Sequence, residues 1–148
     1  MTKKVHVALL IAITGVMIFS SCTKKNESPA SLSPQITVTI NGTVWTTTSV
    51  FAKSIYNGIE IDGLGDVGNN ISIIIPSPSP GNYVVGSNSS TAISLNQNNV
   101  GYSSQSGLVI VNSFSNYVIT GTFIGDCWGG VGSHEQQLKN GSFTAQVQ

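Results

Sequence analysis

The residues able to do chemistry in this chain are few. Cys127 and His134 could pair as thiol nucleophile and imidazole base, but no third residue stands at a motif spacing to orient the imidazole. A Ser–His–acid triad has no Gly-x-Ser-x-Gly elbow to present its serine. As metal ligands, Cys127, His134 and Glu135 form a Cys-x6-His-Glu run, which is not a zinc spacing, and nothing near them completes four ligands. Glu60, Asp62 and Asp66 are a closer approach to a site. Glu60 and Asp62 fall on one face of a strand, and Asp66 follows in a Gly/Asn-rich turn. Their oxygens suit calcium, yet the alternating acids, glycine and distal glutamate of an EF-hand are missing, so a solvated strand face and a turn are expected. A paired-carboxylate glycosidase would need one acid of raised pKa in a deep cleft, which no segment predicts. The expectation is a protein with no catalytic set, no metal and no cofactor. Trp128 stands among the glycines of Gly125 to Gly132, read as a long loop between two strands. There it offers a platform to a sugar ring or a partner protein, or it plugs the end of the fold. Trp128 and His134 are therefore the candidate ligand-binding residues.

The remaining reactive residue is Cys22, and its setting is an address. Met1-Thr2-Lys3-Lys4 is a basic start, Val5 to Phe19 is an apolar run, and Ser20-Ser21-Cys22 ends it. The apolar run would make about 22 Å of helix, short of the roughly 30 Å hydrocarbon core, so a signal peptide over residues 1–21 is expected rather than a retained span. Phe19-Ser20-Ser21-Cys22 resembles a bacterial lipobox, with Phe where Leu is commonest. The small residues suit a narrow peptidase site, and the thiolate would accept the diacylglyceryl group. Cys22 is thus the expected lipidation site and the expected contact with the membrane. Thr23, not aspartate, follows it, which points to the outer membrane. With Cys22 acylated, Cys127 has no disulfide partner and is read as a small buried hydrophobe or a free thiol.

Charge is scarce throughout: six lysines, no arginine and six acids, giving 8% charged residues. Lys3 and Lys4 leave with the signal, and Lys24 and Lys25 sit beside the anchor. Beyond Gln35, only Lys53 and Lys139 face Glu60, Asp62, Asp66, Asp126 and Glu135. A mildly acidic domain has no basic face for phosphates, so nucleic acid is excluded as a partner. Partners in the envelope, protein or glycan, remain compatible.

Residues 22–34 (CTKKNESPASLSP) lack the apolar content to offset ordering entropy and read as a flexible tether. From residue 35 to 148 the pattern has period two. Ile36-Thr37-Val38-Thr39-Ile40, Asn41-Gly42 and Thr43-Val44-Trp45-Thr46-Thr47 make a hairpin with a type I′ turn. A second turn is read at Asn57-Gly58. Ile71 to Ile75 is the most apolar run of the domain and reads as a central strand. Pro76 to Gly81 is an extended loop, because three prolines remove ladder donors. Strands follow at Tyr83–Val85, Thr91–Leu95, Val100–Ser103, Gly107–Val111, Tyr117–Ile124 and Gly141–Val147, with Asn112 to Asn116 as a turn. Gly132 to Lys139 is the one weak helical candidate. Roughly ten short strands predict an all-β, antiparallel sandwich or partly open barrel. The expected core is Val38, Trp45, Ile61, Ile73, Ile75, Tyr83, Leu108, Ile110, Val118, Phe123 and Phe143. The Asn-x-Ser/Thr matches at Asn41, Asn70, Asn88 and Asn140 are read as turn residues.

The order of landmarks resembles a family of small Bacteroidota lipoproteins whose shared domain has no assigned function. The matching pieces are Ile40-Asn41-Gly42-Thr43-Val44-Trp45, Ile59 to Gly63, Pro80-Gly81-Asn82-Tyr83 and Ser106-Gly107-Leu108-Val109-Ile110. Ile119-Thr120-Gly121-Thr122-Phe123 and Asn140-Gly141-Ser142-Phe143 complete them. The resemblance spans about Ile36 to Val147 and implies a sandwich-like domain on a lipid tether. It implies no catalytic residues, since the shared positions are turns and core. The expected function is a lipid-anchored, non-catalytic binding module of the cell envelope, with a carbohydrate-binding module or an accessory subunit of an outer-membrane complex as alternatives.

Overall fold

The computed structural model describes residues 32–130 and 134–148. Cys22, the expected signal peptide (residues 1–21) and most of the expected tether (residues 22–34) lie outside them. The described residues hold ten strands and no helix: β1 (Gln35–Ile40), β2 (Thr43–Thr47), β3 (Ser49–Ile55), β4 (Gly58–Leu64), β5 (Asn70–Ile75), β6 (Gly81–Gly86), β7 (Ala92–Gln97), β8 (Val100–Ser115), β9 (Val118–Gly129) and β10 (Gln136–Gln146). All are antiparallel neighbours in one sheet, ordered β2-β1-β10-β9-β8-β7-β5-β4-β3, with β6 beside β8. The sheet curls until β3 meets the end of β10. There Ala52 bridges Val147, and Gln148 N donates to the Ala52 carbonyl at 2.9 Å. Of the two expected architectures it is the barrel, nearly closed, because the edges find each other instead of forming two facing sheets.

Alternation builds the interior. Ile36, Val38 and Ile40 of β1, Ile59 and Ile61 of β4, and Ile71, Ile73 and Ile75 of β5 all point inward and are buried. The residues between them face out. β-Branched side chains fit this pleated wall and lose little further freedom in it. Thr47 caps the seam where β2 turns into β3: its hydroxyl donates to the Leu64 carbonyl, and Ser49 N donates back to Thr47 Oγ at 3.1 Å.

Asn41 (φ 47°) and Gly42 (φ 86°) form the predicted type I′ turn. Asn41 also ties the hairpin to β10, donating through Nδ2 to Gln136 Oε1 at 2.9 Å and accepting from Gln137 N at 2.8 Å. That pairing satisfies the amide oxygen of buried Gln136. Asn98-Asn99 and Asn116-Tyr117 make two further turns with both residues at positive φ.

Several expectations shift. The second turn uses Tyr56-Asn57, and Gly58 opens β4 opposite Ile55 at φ 140°. Its missing Cβ would otherwise lie on the Ile75 carbonyl oxygen. Val100–Ser103 and Gly107–Val111 are one strand, β8, continuing through Asn112 to Ser115 and bulged between Ser104 and Ser106. Val109, Val111 and Ile119 point inward, while Leu108, Ile110 and Val118 face outward and are half-buried. An unbroken apolar run carries no alternation, so a one-residue slip exchanges its faces. Trp45 and Tyr83 are half-buried against the core rather than inside it. Gln136 to Lys139 are strand, not helix.

Candidate functional site

The structure separates the residues that could have formed a catalytic pair. Cys127 points into the barrel and is fully buried, while His134 and Glu135 are exposed beyond the end of β9. Burial pushes the Cys127 thiol up to about 12, with the nearby Asp126 charge adding to it. A thiol in that state is not a nucleophile at neutral pH. The buried-hydrophobe reading of Cys127 is the one realised.

Glu60 and Asp62 share the outer face of β4 as expected, and the sequence reading missed their partner. Lys53 of β3, opposite Glu60 in register, reaches Glu60 Oε2 at 2.9 Å and Asp62 Oδ2 at 3.8 Å. The Glu60 hydrogen bond and charge raise the lysine pKa. Ser72 Oγ donates to Glu60 Oε1 at 3.3 Å. Asp66 lies apart, its carbonyl accepting from Asn69 N at 2.9 Å in the β4–β5 turn. Among the described residues, no group of three or more His, Cys, Asp or Glu side chains could hold a metal ion.

Trp128 is neither in a loop nor a plug. It lies on β9, one residue from inward Cys127, and alternation turns its indole outward with 52% of its surface exposed. The predicted long loop shrinks because β9 continues to Gly129 and β10 begins at Gln136. Gly125 and Gly129 lie within the paired strand, Gly125 buried, and Gly130 lies just beyond it; Val131 and Gly132 lie outside the described residues.

Register places Trp128 at the end of a polar row. Its cross-strand partner is Ser103 of β8, which pairs with Ser94 of β7, then Ser72 of β5, then Asp62 of β4. Neighbours along such a row stand about 5 Å apart on one face. Below it Asn70, Asn96 and Gly101 make a second row. Ser72, Ser94 and Ser103 of the first row and Asn70, Asn96 and Gly101 of the second line a depression of about 410 Å³, with Trp128 and Asp62 outside its lining. Gly101 floors it, since a Cβ there would meet nothing within 4 Å. Asn96 Oδ1 is buried without a hydrogen-bond partner among the described residues. Ser94 and Ser103 keep their hydroxyls free of other described side chains.

A second outward row is apolar. Val84 of β6, Leu108 of β8 and Ile124 of β9 are register neighbours, and Val84 and Ile124 are exposed. Beside Ile124 the bulge at Asn140-Gly141 opens a depression of about 360 Å³.

The model for a domain of unknown function, DUF6252, matches residues 32–145. The chain belongs to that family. No curated protein and no solved structure matches it. In this DUF6252 domain the Asn41-Gly42 turn and the two Gly-x-Phe segments, Gly121-Thr122-Phe123 and Gly141-Ser142-Phe143, build the frame. Trp128, Ser103, Ser94 and Asn96 are what the frame displays. Ser94 and Ser103 carried no sequence signal of their own, because their meeting depends on which distant strands adjoin.

Proposed function

We propose that this DUF6252 chain is a lipid-anchored, non-catalytic binding module of the cell envelope, of the Bacteroidota lipoprotein type. Its anchor is an acylated Cys22 in the outer membrane, and residues 23–34 give the barrel reach from the lipid. One observation carries the binding half of this reading: a half-exposed indole, Trp128, in register with the Ser103 and Ser94 hydroxyls on the same outer face. An indole on a strand face offers a ligand large contact area at low entropic cost. The anchor half rests on Phe19-Ser20-Ser21-Cys22 at the end of an apolar run.

Metabolic labelling with an alkyne fatty acid tests the anchor. Wild type takes the label and partitions with outer membranes, and Cys22→Ala takes none; label on Cys22→Ala refutes the assignment. A second reading, an accessory subunit of an envelope complex, draws on the apolar row Val84–Leu108–Ile124, since such rows often meet protein. A stoichiometric partner recovered with the labelled protein from solubilised membranes favours it.

A further inference from the structure

We propose that the depression floored by Gly101, together with the Trp128 indole, binds a neutral oligosaccharide. This rests on the binding-module reading and names its ligand class. A pyranose ring presents C–H groups on one face and hydroxyls around its rim. The C–H face packs on an exposed indole, which supplies large contact area at little entropic cost. The rim hydroxyls both donate and accept, and so need partners of mixed character beside the indole.

The outer face has them in place. Ser103 is the direct cross-strand neighbour of Trp128, and Ser94 is the neighbour of Ser103. Asn96 adds an amide to the second row, its Oδ1 buried beneath the surface and without a hydrogen-bond partner among the described residues. The row from Trp128 to Ser72 crosses three strand spacings, about 14 Å. That is longer than one sugar ring, so the ligand is an oligosaccharide or a segment of a polysaccharide.

Charge selects the class further. At the Asp62 end of the row, Lys53 is held by Glu60 and Asp62. Asp62 closes the row at the end away from Trp128. A uronate, sialate or phosphosugar would meet carboxylates with no free counter-charge. A neutral glycan meets no such penalty.

The test is affinity electrophoresis of the full chain, detergent-solubilised, through gels containing mixed-linkage glucan, xyloglucan, mannan or amylopectin, with polygalacturonate as the acidic probe. At least one neutral polymer should retard the wild type, and polygalacturonate should not. Trp128→Ala should abolish the retardation. Gly101→Val, which fills the floor where a Cβ meets nothing, should weaken it more than about tenfold, as loss of a central contact does. Both variants should melt with the wild type, and Gly101→Val keeps the test valid should Trp128→Ala misfold. Three results overturn the proposal: no retardation by any neutral polymer, stronger retardation by polygalacturonate, or retardation unchanged in the folded variants. A chain that carries the lipid label but binds no neutral polymer removes the glycan and leaves the anchored module. A chain that binds glycan without the label does the reverse.

Discussion

Gly121→Ala should destabilise this barrel more than any surface change, for a reason visible in two short segments. Gly121-Thr122-Phe123 and Gly141-Ser142-Phe143 repeat one spacing on adjacent antiparallel strands. Their register sets Phe143 opposite Gly121 and Gly141 opposite Phe123. Each ring lies over the other strand's glycine, and the two rings pack at 6.5 Å between centroids. Aromatic cover of a strand glycine is a known device for holding register. A Cβ on Gly121 would stand 2.3 Å from Phe143 Cζ and 2.3 Å from the Ile110 carbonyl oxygen. Carbon atoms prefer separations of about 3.5–4.0 Å, so the ring must retreat by more than an ångström. The Ile110 oxygen is backbone of β8 and cannot rotate away.

Overpacking of a core costs about 1–3 kcal/mol, and losing a buried phenylalanine about 3–5 kcal/mol. With a ring and a backbone atom both in the way, about 3 kcal/mol is expected. In a domain of this size that lowers Tm by about 12 °C. Urea and thermal unfolding followed by circular dichroism measure it. Gly101→Ala, where the new Cβ meets nothing within 4 Å, is the control and should stay within about 0.5 kcal/mol of wild type. Phe143→Leu should cost less in the Gly121→Ala background than alone, because the smaller side chain relieves part of the clash. A Gly121→Ala loss under about 1 kcal/mol, or equal Phe143→Leu costs in both backgrounds, refutes the reciprocal packing.

Three further outcomes follow from two residues. Cys127 should resist a water-soluble thiol reagent in the folded protein and react at the rate of unfolding; rapid native labelling contradicts its burial. Its thiol titrates at about 12 in the fold against an ordinary 9.0. The stability it contributes is therefore full below pH 9 and lost as pH rises toward 12. The stability gap between wild type and Cys127→Val should move toward the variant over that window in urea titrations, and a pH-independent gap refutes the assignment. Tyr117 holds φ 61° in a two-residue turn with an exposed ring, a backbone region that costs a non-glycine residue about 1–2 kcal/mol. Tyr117→Gly should therefore raise the urea midpoint, and a fall shows that the ring contributes more than its backbone costs.

Residues adjacent in sequence made the strands and turns legible; residues adjacent only in space made the site illegible. Asn41-Gly42 announced its turn because both residues tolerate positive φ, whereas Asn116-Tyr117 hid an equivalent turn behind a tyrosine. Ile71 to Ile75 read as a central strand from its apolar content, and Ile73 and Ile75 are in the core as expected. The facing of Leu108 to Val111 is chosen only in the fold, because an unbroken apolar run carries no alternation. That choice also matters outside the barrel, because it turned Leu108 and Ile110 outward beside Ile124 and made the apolar row.

Trp128 is the sharpest case. Its glycine neighbours argued for a loop, yet pairing to Ser103 and the inward pull of Cys127 kept it in a strand. Once in a strand, parity alone put the indole outside. Its neighbours were then set by the order β4-β5-β7-β8-β9, in which Asp62, Ser72, Ser94 and Ser103 come from segments 41 residues apart at the extremes. No local rule brings those segments together; the closing of the sheet does. The frame of this domain is therefore written in glycines, phenylalanines and asparagine turns that can be read along the chain. Its displayed face is written in serines whose meaning appears only when the strands are laid side by side.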